Sequence, residues 1–525
     1  MLKFISNNKS YLPVLSGIFI GSSFIPFPPW AALFCFVPLW LFWQQQSCLK
    51  SVFWSGMTTA FVLTLVGCNW MTYLLHEFAH LPWFLAVIGM ILYAFIANWY
   101  IPFAGVLWFL LKRYLDCHEW HSLLLLTLIT ILSEANTLTL FDWNLGYSWF
   151  AAGLPLYHWA EIIGFSGLSA LTIGTNGLAY FAWQRFWQKH EKRPLLILTT
   201  SFVLLNLTGI ALNSRLSAPD GQFNVLMVQG NIGNSEKLAA ELGENYSEAI
   251  FNQYLHLTHD ALIAHANEKI DFVIWPETAF PTFLGDNIVP QNDYAAQLTE
   301  FLQLHHVALI TGAYGVGVQK GERLLTNSLF LLNDKGEVTT PHYSKTRLLA
   351  FGEYIPLEDL IPQIRSVLPP IGRFARGQGA TMLFQWHDLK IGPQICYESL
   401  FTPFAKDLAS LGANVIINVA NDSWYGWWQE PYQHLYMTMA RAVEFRRPVV
   451  RVTNTGISSV SLATGHLIEQ SPIDQAWTHL YHVPYTKTPT PTFYQEWFYL
   501  VPCLLWLSLA GLIFVCMHKK LAKQS

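Results

Sequence analysis

Of the chain's 525 residues, 52% are apolar, 15% aromatic and only 12% charged, and its mean hydropathy is positive. That balance excludes an ordinary soluble enzyme and requires part of the chain to live in lipid. With a formal net charge of −4, no nucleic-acid partner is expected.

A bilayer core is crossed by about 20 mostly apolar residues. On that rule residues 11–27, 29–43, 52–75, 82–111, 121–132, 158–183, 194–212 and 498–517 predict about eight transmembrane helices, seven of them before residue 213. Lys3, Lys9, Lys50, Lys112, Arg113, Arg185, Lys189, Lys192, Arg193, Lys519, Lys520 and Lys523 all fall on one side of that arrangement. The loops assigned to the other side, including "HEFAHL" and "SEANTLTLFDWNLGYSWFAAGLPLY", hold no Lys or Arg. Positive residues stay cytoplasmic, so the N-terminus is expected inside. No small-residue cleavage site follows the first apolar run, which is therefore expected to be retained. The expectation is a multi-pass inner-membrane protein with three parts: 1–212, an N-terminal membrane domain; 213–497, an extracytoplasmic domain; and 498–525, a last span with a basic cytoplasmic tail.

The middle part has a different texture, with Gly-Pro punctuation and short β-rich runs alternating with helical patterns, and it is long enough for its own core. "FNVLMVQ", "DFVIW", "VALITGAY", "LTNSLFLLN", "LKIGPQI", "NVIINVA" and "VVRVTN" read as strands. Residues 334–336, "DKG", read as a turn into another strand that begins at Glu337. Residues 244–266, 294–305, 403–411 and 431–445 read as helices. Continuous apolar strands separated by helices imply sheets covered by helices.

Cys396, in "IGPQICYESLF", ends one such strand and has no cysteine partner within its domain. Structural cysteines in an oxidising compartment come in pairs, and a side chain at a strand's C-terminal end sits where open α/β structures place catalytic groups. The other six cysteines fall in spans or, for Cys48 and Cys117, in inside loops. A thiol with an ordinary pKa is only slightly ionised at neutral pH, so it needs a base or a cation nearby. Glu277 leaves the end of "DFVIWP", and Lys345 lies in "PHYSKTRLLAFGEYIP" beyond the strand that begins at Glu337. Three strand-end residues, Glu, Lys and Cys, are thus in position to converge on one edge.

"WPETAFP", "YSKTRLLAFGEYIP" and "ICYES", in that order, resemble the three signature blocks of the nitrilase superfamily. With the spans around them, with "MVQGNI" at the domain's start and with "NDSWYG" near its end, the chain resembles the membrane-bound branch of that superfamily, the apolipoprotein N-acyltransferases. The resemblance implies an αββα sandwich for the middle domain, with Cys396 as nucleophile, Glu277 as general base, Lys345 as oxyanion-stabilising lysine, Glu353 as a further essential acid and Tyr397 and Glu398 as supporting residues. It implies acyl transfer from a membrane phospholipid, through a Cys thioester, to the α-amine of a diacylglyceryl-lipoprotein, by a monomer that needs no cofactor and no metal. One departure is Leu238, where the family usually has Trp. The loop Trp424, Tyr425, Trp427 and Trp428 is expected to shield the thioester from water and to rest on lipid, since Trp and Tyr favour the interface.

Two rival classes remain at this level. One is a membrane-bound amidase built on the same triad, because hydrolysis and transfer use the same three residues. The other is a zinc protease through "HEFAH", His76 to His80, which fits the H-E-x-x-H pattern; Pro82 ends any helix just beyond it, and no third ligand announces itself. Gly312, Gly315 and Gly317 echo a phosphate loop weakly, without the G-K-[ST] that completes one.

Overall fold

The structure, a computed structural model, describes residues 9–524 except 80, 116–117, 138, 140, 142, 234–245, 286–292, 340, 351, 356–357, 359, 362 and 368–371. Leu238 and His80 lie outside the described residues. The chain divides into two compact units, Met1–Leu216 with Thr492–Ser525, and Ser217–Pro491.

The first unit is helical. Pro13, Pro38 and Pro194 each stand at the start of a helix, Leu12–Gly21, Val37–Trp43 and Arg193–Asn213, where the missing N–H costs nothing and the fixed φ already suits the helix. Gly17 and Gly21 lie one turn apart. A Cβ on either would meet the Leu49–Gly67 helix at 2.7–2.9 Å, at Thr59, Val62, Leu63 and Val66, so these two glycines let the helices close to backbone contact, as small residues do in membranes. Trp40, Trp43 and Trp108 fill the interior of the bundle.

Among the described residues five helices are long and apolar enough to cross a bilayer: Leu49–Gly67, Trp83–Leu115, Pro155–Trp187, Arg193–Asn213 and Leu500–Ala522. Eight were expected. Within 11–27 the helix stops at Gly21, ahead of Pro26, Pro28 and Pro29, and within 29–43 it spans only Val37–Trp43. The fifth expected span is an 18-residue helix, Glu119–Asn136, whose ends carry Glu119 and Glu134. The fourth consists of two pieces, Trp83–Ile96 and Tyr100–Leu115.

The second unit holds two six-stranded mixed sheets. β1 (Gly221–Gln229), β2 (Phe272–Ile274) and β3 (Ala308–Gln319) run parallel at the centre of the first. They are flanked by antiparallel β12 (Trp477–Tyr485) on one side and by β4 (Glu322–Leu332) and β5 (Tyr343–Ser344) on the other. The second has parallel β7 (Leu389–Ile395), β8 (Val415–Ala420) and β9 (Val449–Thr453) at its centre. Beside them lie β6 (Phe384–Trp386), β10 (Ser459–Ser461) and β11 (Leu467–Gln470).

One face of the first sheet, with Leu226, Val273 and Leu309, packs on helices Tyr246–Ala264 and Asp293–His305 through Phe251, Tyr254, Leu298 and Leu302. Its other face meets the second sheet, where Phe272 approaches Trp386 with ring centroids 6.3 Å apart. Helices Thr402–Ser410, Glu430–Met439 and Arg441–Phe445 cover the second sheet. Strands buried on both faces are mostly apolar: every residue of β8 is buried, and only Asn418 among them is polar. The seven strands read from sequence are all present. β6, β10, β11 and β12 were not foreseen, and of the strand expected from Glu337 the described residues hold a bridge between Leu332 and Val338 and the short β5 just before Lys345. The helix expected over 431–445 breaks at Ala440 into two.

Candidate active site

Three strand ends converge. Glu277 follows β2, Lys345 follows β5 and Cys396 follows β7, so two members come from the first sheet and one from the second. Their exposure is 6%, 2% and 4% respectively, and a buried charge persists only when it is paired. Lys345 Nζ is: it donates to Glu277 Oε1 at 2.9 Å and to Glu353 Oε1 at 3.2 Å. Asn327 on β4 donates to the same two carboxylates at 2.7 Å each, and the Leu349 N–H donates to Glu353 at 2.8 Å. Burial pulls the Lys345 pKa down, but Glu277, Glu353 and Cys396 outweigh it and hold the ammonium well above its ordinary range.

Gly312 on β3 explains how Glu277 comes so close to the sheet. A Cβ there would fall 2.5–2.8 Å from the backbone of Pro276, Glu277 and Thr278. The weak phosphate-loop echo therefore has a packing reason for its first glycine. Gly315 and Gly317 lie on the same strand, β3.

Cys396 opens a short 3₁₀ turn, Cys396–Leu400, with a φ of +55°. That left-handed conformation is uncommon for a residue with a Cβ, and strain of this kind gathers at functional sites. Burial raises its thiol well above the ordinary range, the Glu277 carboxylate raises it further, and Lys345 pulls the other way. At rest the thiol is protonated.

Glu398 is fully buried and stitches the two sheets together at the site. Its carboxylate accepts from the Tyr343 hydroxyl at 2.8 Å and from the Thr346 and Arg347 N–H groups at 2.6 and 3.1 Å, on either side of Lys345. From the residue before the nucleophile, the Ile395 N–H donates at 2.9 Å. Glu398 thus ties the lysine's segment to the cysteine's.

Tyr397 donates its hydroxyl to Glu430 at 2.7 Å, stacks on His434 with centroids 4.6 Å apart and meets Tyr425 edge-on at 5.6 Å. The aromatic loop divides. Tyr425 is buried against Tyr397, Trp424 is half-buried, and Trp427 and Trp428 stand out at 65% and 40% exposure.

A second buried charged group lies behind Tyr397. Arg451 pairs with Asp422, and Asp422 accepts from His434 Nδ1 at 2.9 Å. Arg451, His434 and their hydrogen bonds hold the Asp422 carboxyl well below the usual range despite burial. Burial and the Arg451 charge lower the His434 pKa against the pull of Asp422, while burial and Asp422 push Glu430 far up. Asp422, Glu430 and His434 place one ligand atom each within 4.8 Å of one another. The guanidinium already supplies their counter-charge.

Sequence reasoning missed Asn327, Asn418, Asp422, Glu430, His434 and Arg451 as site residues. Asp422 lay in the quoted "NDSWYG", but the others sit in strands and helices whose pattern says only that they are buried. His76 of "HEFAH" has its Nδ1 at 2.8 Å from the Leu81 carbonyl and its ring stacked on Trp83 at 3.9 Å, so the ring is committed to its own helix end.

The sequence profile of the carbon-nitrogen hydrolases matches residues 225–475, and that of the apolipoprotein N-acyltransferase N-terminal domain matches residues 16–178. The class is therefore a nitrilase-superfamily unit carried together with an apolar helical unit. An apolipoprotein N-acyltransferase of Bdellovibrio bacteriovorus is 38% identical over 493 residues, 92% of this chain and 89% of that protein. One of Geobacter metallireducens is 30% identical over 89% of this chain and 88% of its own length, and one of Pasteurella multocida 27% over 95% and 94%. The chain belongs to the apolipoprotein N-acyltransferase family.

Proposed function

We propose that the chain moves an acyl chain from a membrane phospholipid to Cys396 and from there to the α-amine of the diacylglyceryl-cysteine at a lipoprotein N-terminus. The observation that carries this reading is the buried Glu277–Lys345 pair at 2.9 Å beside a buried thiol, in a member of this acyltransferase family.

Glu277 takes the proton as Sγ adds to the ester carbonyl. The carbonyl π pair moves to oxygen, where Lys345 and the Tyr397 N–H stabilise it. Collapse breaks the ester C–O bond, Glu277 returns the proton to the leaving lysophospholipid, and a thioester remains. The lipoprotein amine then adds to the thioester, gives its proton to Glu277, and expels the thiolate as the amide forms. Transfer rather than hydrolysis requires that water be kept away. Tyr425, packed on Tyr397, suits that role, and Trp427 and Trp428 suit contact with lipid.

The remaining features belong to the same proposal: a monomer with about eight spans in a bacterial inner membrane and a periplasmic catalytic unit over residues 213–497. The test is mass spectrometry of the purified protein after incubation with phospholipid. A gain of one acyl chain on Cys396, removable by neutral hydroxylamine, is expected; acylation elsewhere with Cys396 unmodified would sink the mechanism. Adding a diacylglyceryl lipopeptide should move the acyl group to its amine, whereas release of free fatty acid alone would indicate an amidase-like hydrolase.

A further inference from the structure

Gln394 on β7, Asn418 on β8 and Arg451 on β9 stand side by side in register across three parallel strands, and all three are fully buried. Arg451 is fixed from one side by its pair with Asp422, and its Nη1 donates to Asn418 Oδ1 at 2.7 Å. With its oxygen committed, the Asn418 amide can only turn its Nδ2 the other way. There it donates to the main-chain carbonyl of Cys396 at 3.0 Å. The Ser399 hydroxyl donates to the same carbonyl at 3.0 Å and is itself held by Thr438 at 2.7 Å.

The peptide that follows Cys396 is planar and trans, so its C=O and N–H point in opposite directions. Two donors on the carbonyl, anchored through a buried guanidinium, therefore also fix the direction of the Tyr397 N–H. The Tyr397 side chain is held independently by Glu430 and by stacking on His434. The Cys396–Tyr397 peptide lies at the junction of β7 and the short 3₁₀ turn, with a left-handed nucleophile at the bend, and the two side-chain donors on its carbonyl restrain it there.

We propose that Asn418 and Arg451 are positioning residues for the oxyanion site. Arg451 orients Asn418, and Asn418, with Ser399, locks the Cys396–Tyr397 peptide so that the Tyr397 N–H faces the oxygen of an acyl group under attack. This rests on the acyl-thioester reading above, and the test separates the two. The full-length protein in detergent is acylated with p-nitrophenyl octanoate, whose attack builds the same tetrahedral oxyanion whatever the natural donor, and the burst of p-nitrophenol is timed. Alkylation of Cys396 by iodoacetamide is timed in parallel, because that displacement builds no oxyanion.

Asn418→Asp keeps the volume and the bond to Arg451 but has no donor for the carbonyl. Its burst is expected to slow about 10- to 100-fold through kcat, with KM and the alkylation rate changed by no more than about threefold, since a misaimed oxyanion donor costs transition-state stabilisation alone. Ser399→Ala, a smaller change, should show the same selective loss to a lesser degree and reads the proposal should Asn418→Asp fail to fold. Arg451→Lys, which keeps the charge, should retain more of the burst than Arg451→Met. A wild-type burst in both the Asn418 and Ser399 variants overturns the proposal, as does a parallel loss of burst and alkylation. A wild-type chain that gives a burst with the ester but no adduct from phospholipid overturns the donor assignment and leaves this one standing; neither burst nor adduct overturns both.

Discussion

Cys396 is buried near three carboxylates, Glu277, Asp422 and Glu353, and one ammonium, Lys345, a combination that favours the protonated thiol. Burial and Glu277 raise its pKa, and only Lys345 opposes them. The protonated form is favoured, so wild-type alkylation by iodoacetamide should rise with pH to a midpoint above that of an ordinary thiol. Glu277→Gln removes one raising charge and should shift that midpoint to lower pH; an unmoved midpoint would show that the carboxylate does not face the thiol. At neutral pH the same substitution removes the base, and thioester formation should fall by a factor of about 100 to 10,000. His76→Ala should leave it nearly intact, and loss of activity in that variant together with inhibition by a chelator would favour metal chemistry instead. Glu353 holds Lys345, Asn327 and the Leu349 N–H at once. Glu353→Gln is therefore expected to slow formation of the thioester rather than its discharge, read by the Cys396 adduct with and without a lipopeptide acceptor.

Elements differ in how much of them the sequence reveals. β2 is apolar throughout and β7 and β8 are mostly so, because central strands are buried on both faces, and a run such as "NVIINVA" reads as a central strand despite its one interior Asn. β5 and β6 have two and three residues, too few for any period to show, and they exist because a neighbour offers an open edge. Glu277, Lys345 and Cys396 were legible because each follows a strand or leads a signature block. Asn327, Asn418 and Arg451 were not, because their role is set by a partner on another strand, and pairing between distant segments leaves no local mark. Glu398 is the intermediate case, placed in the motif yet with a job that only the fold discloses. Four donors from two sheets converge on its carboxylate. Glu398→Gln would set an NH₂ against at least one of these N–H or O–H groups, stranding buried donors at a cost of about 2–4 kcal/mol. Thermal unfolding of the full-length variant in detergent should show the loss, and a wild-type midpoint would contradict the stitching role.

At the scale of the molecule, composition announced a membrane protein, and among the described residues five helices are long and apolar enough to cross a bilayer; the proposed count of about eight needs shorter or kinked segments to cross as well. Proline clusters and helix-end acids divide what hydropathy alone reads as continuous. On the proposed even number of crossings, a reporter fused after Ser217 should appear outside the cytoplasm and one fused after Lys523 inside. Both on one side would mean an odd error in the crossings and a catalytic unit facing away from lipoproteins.

The division of the catalytic set between two sheets has a further consequence. Neither sheet alone holds the three candidate residues, since Glu277 and Lys345 follow strands of one and Cys396 a strand of the other. The seam between them is then a logical AND gate for reactivity. On the proposed mechanism, a chain threaded across a membrane only as far as β5 carries the base and the lysine without the thiol, and it becomes chemically competent only once β7 has followed and the two sheets have met.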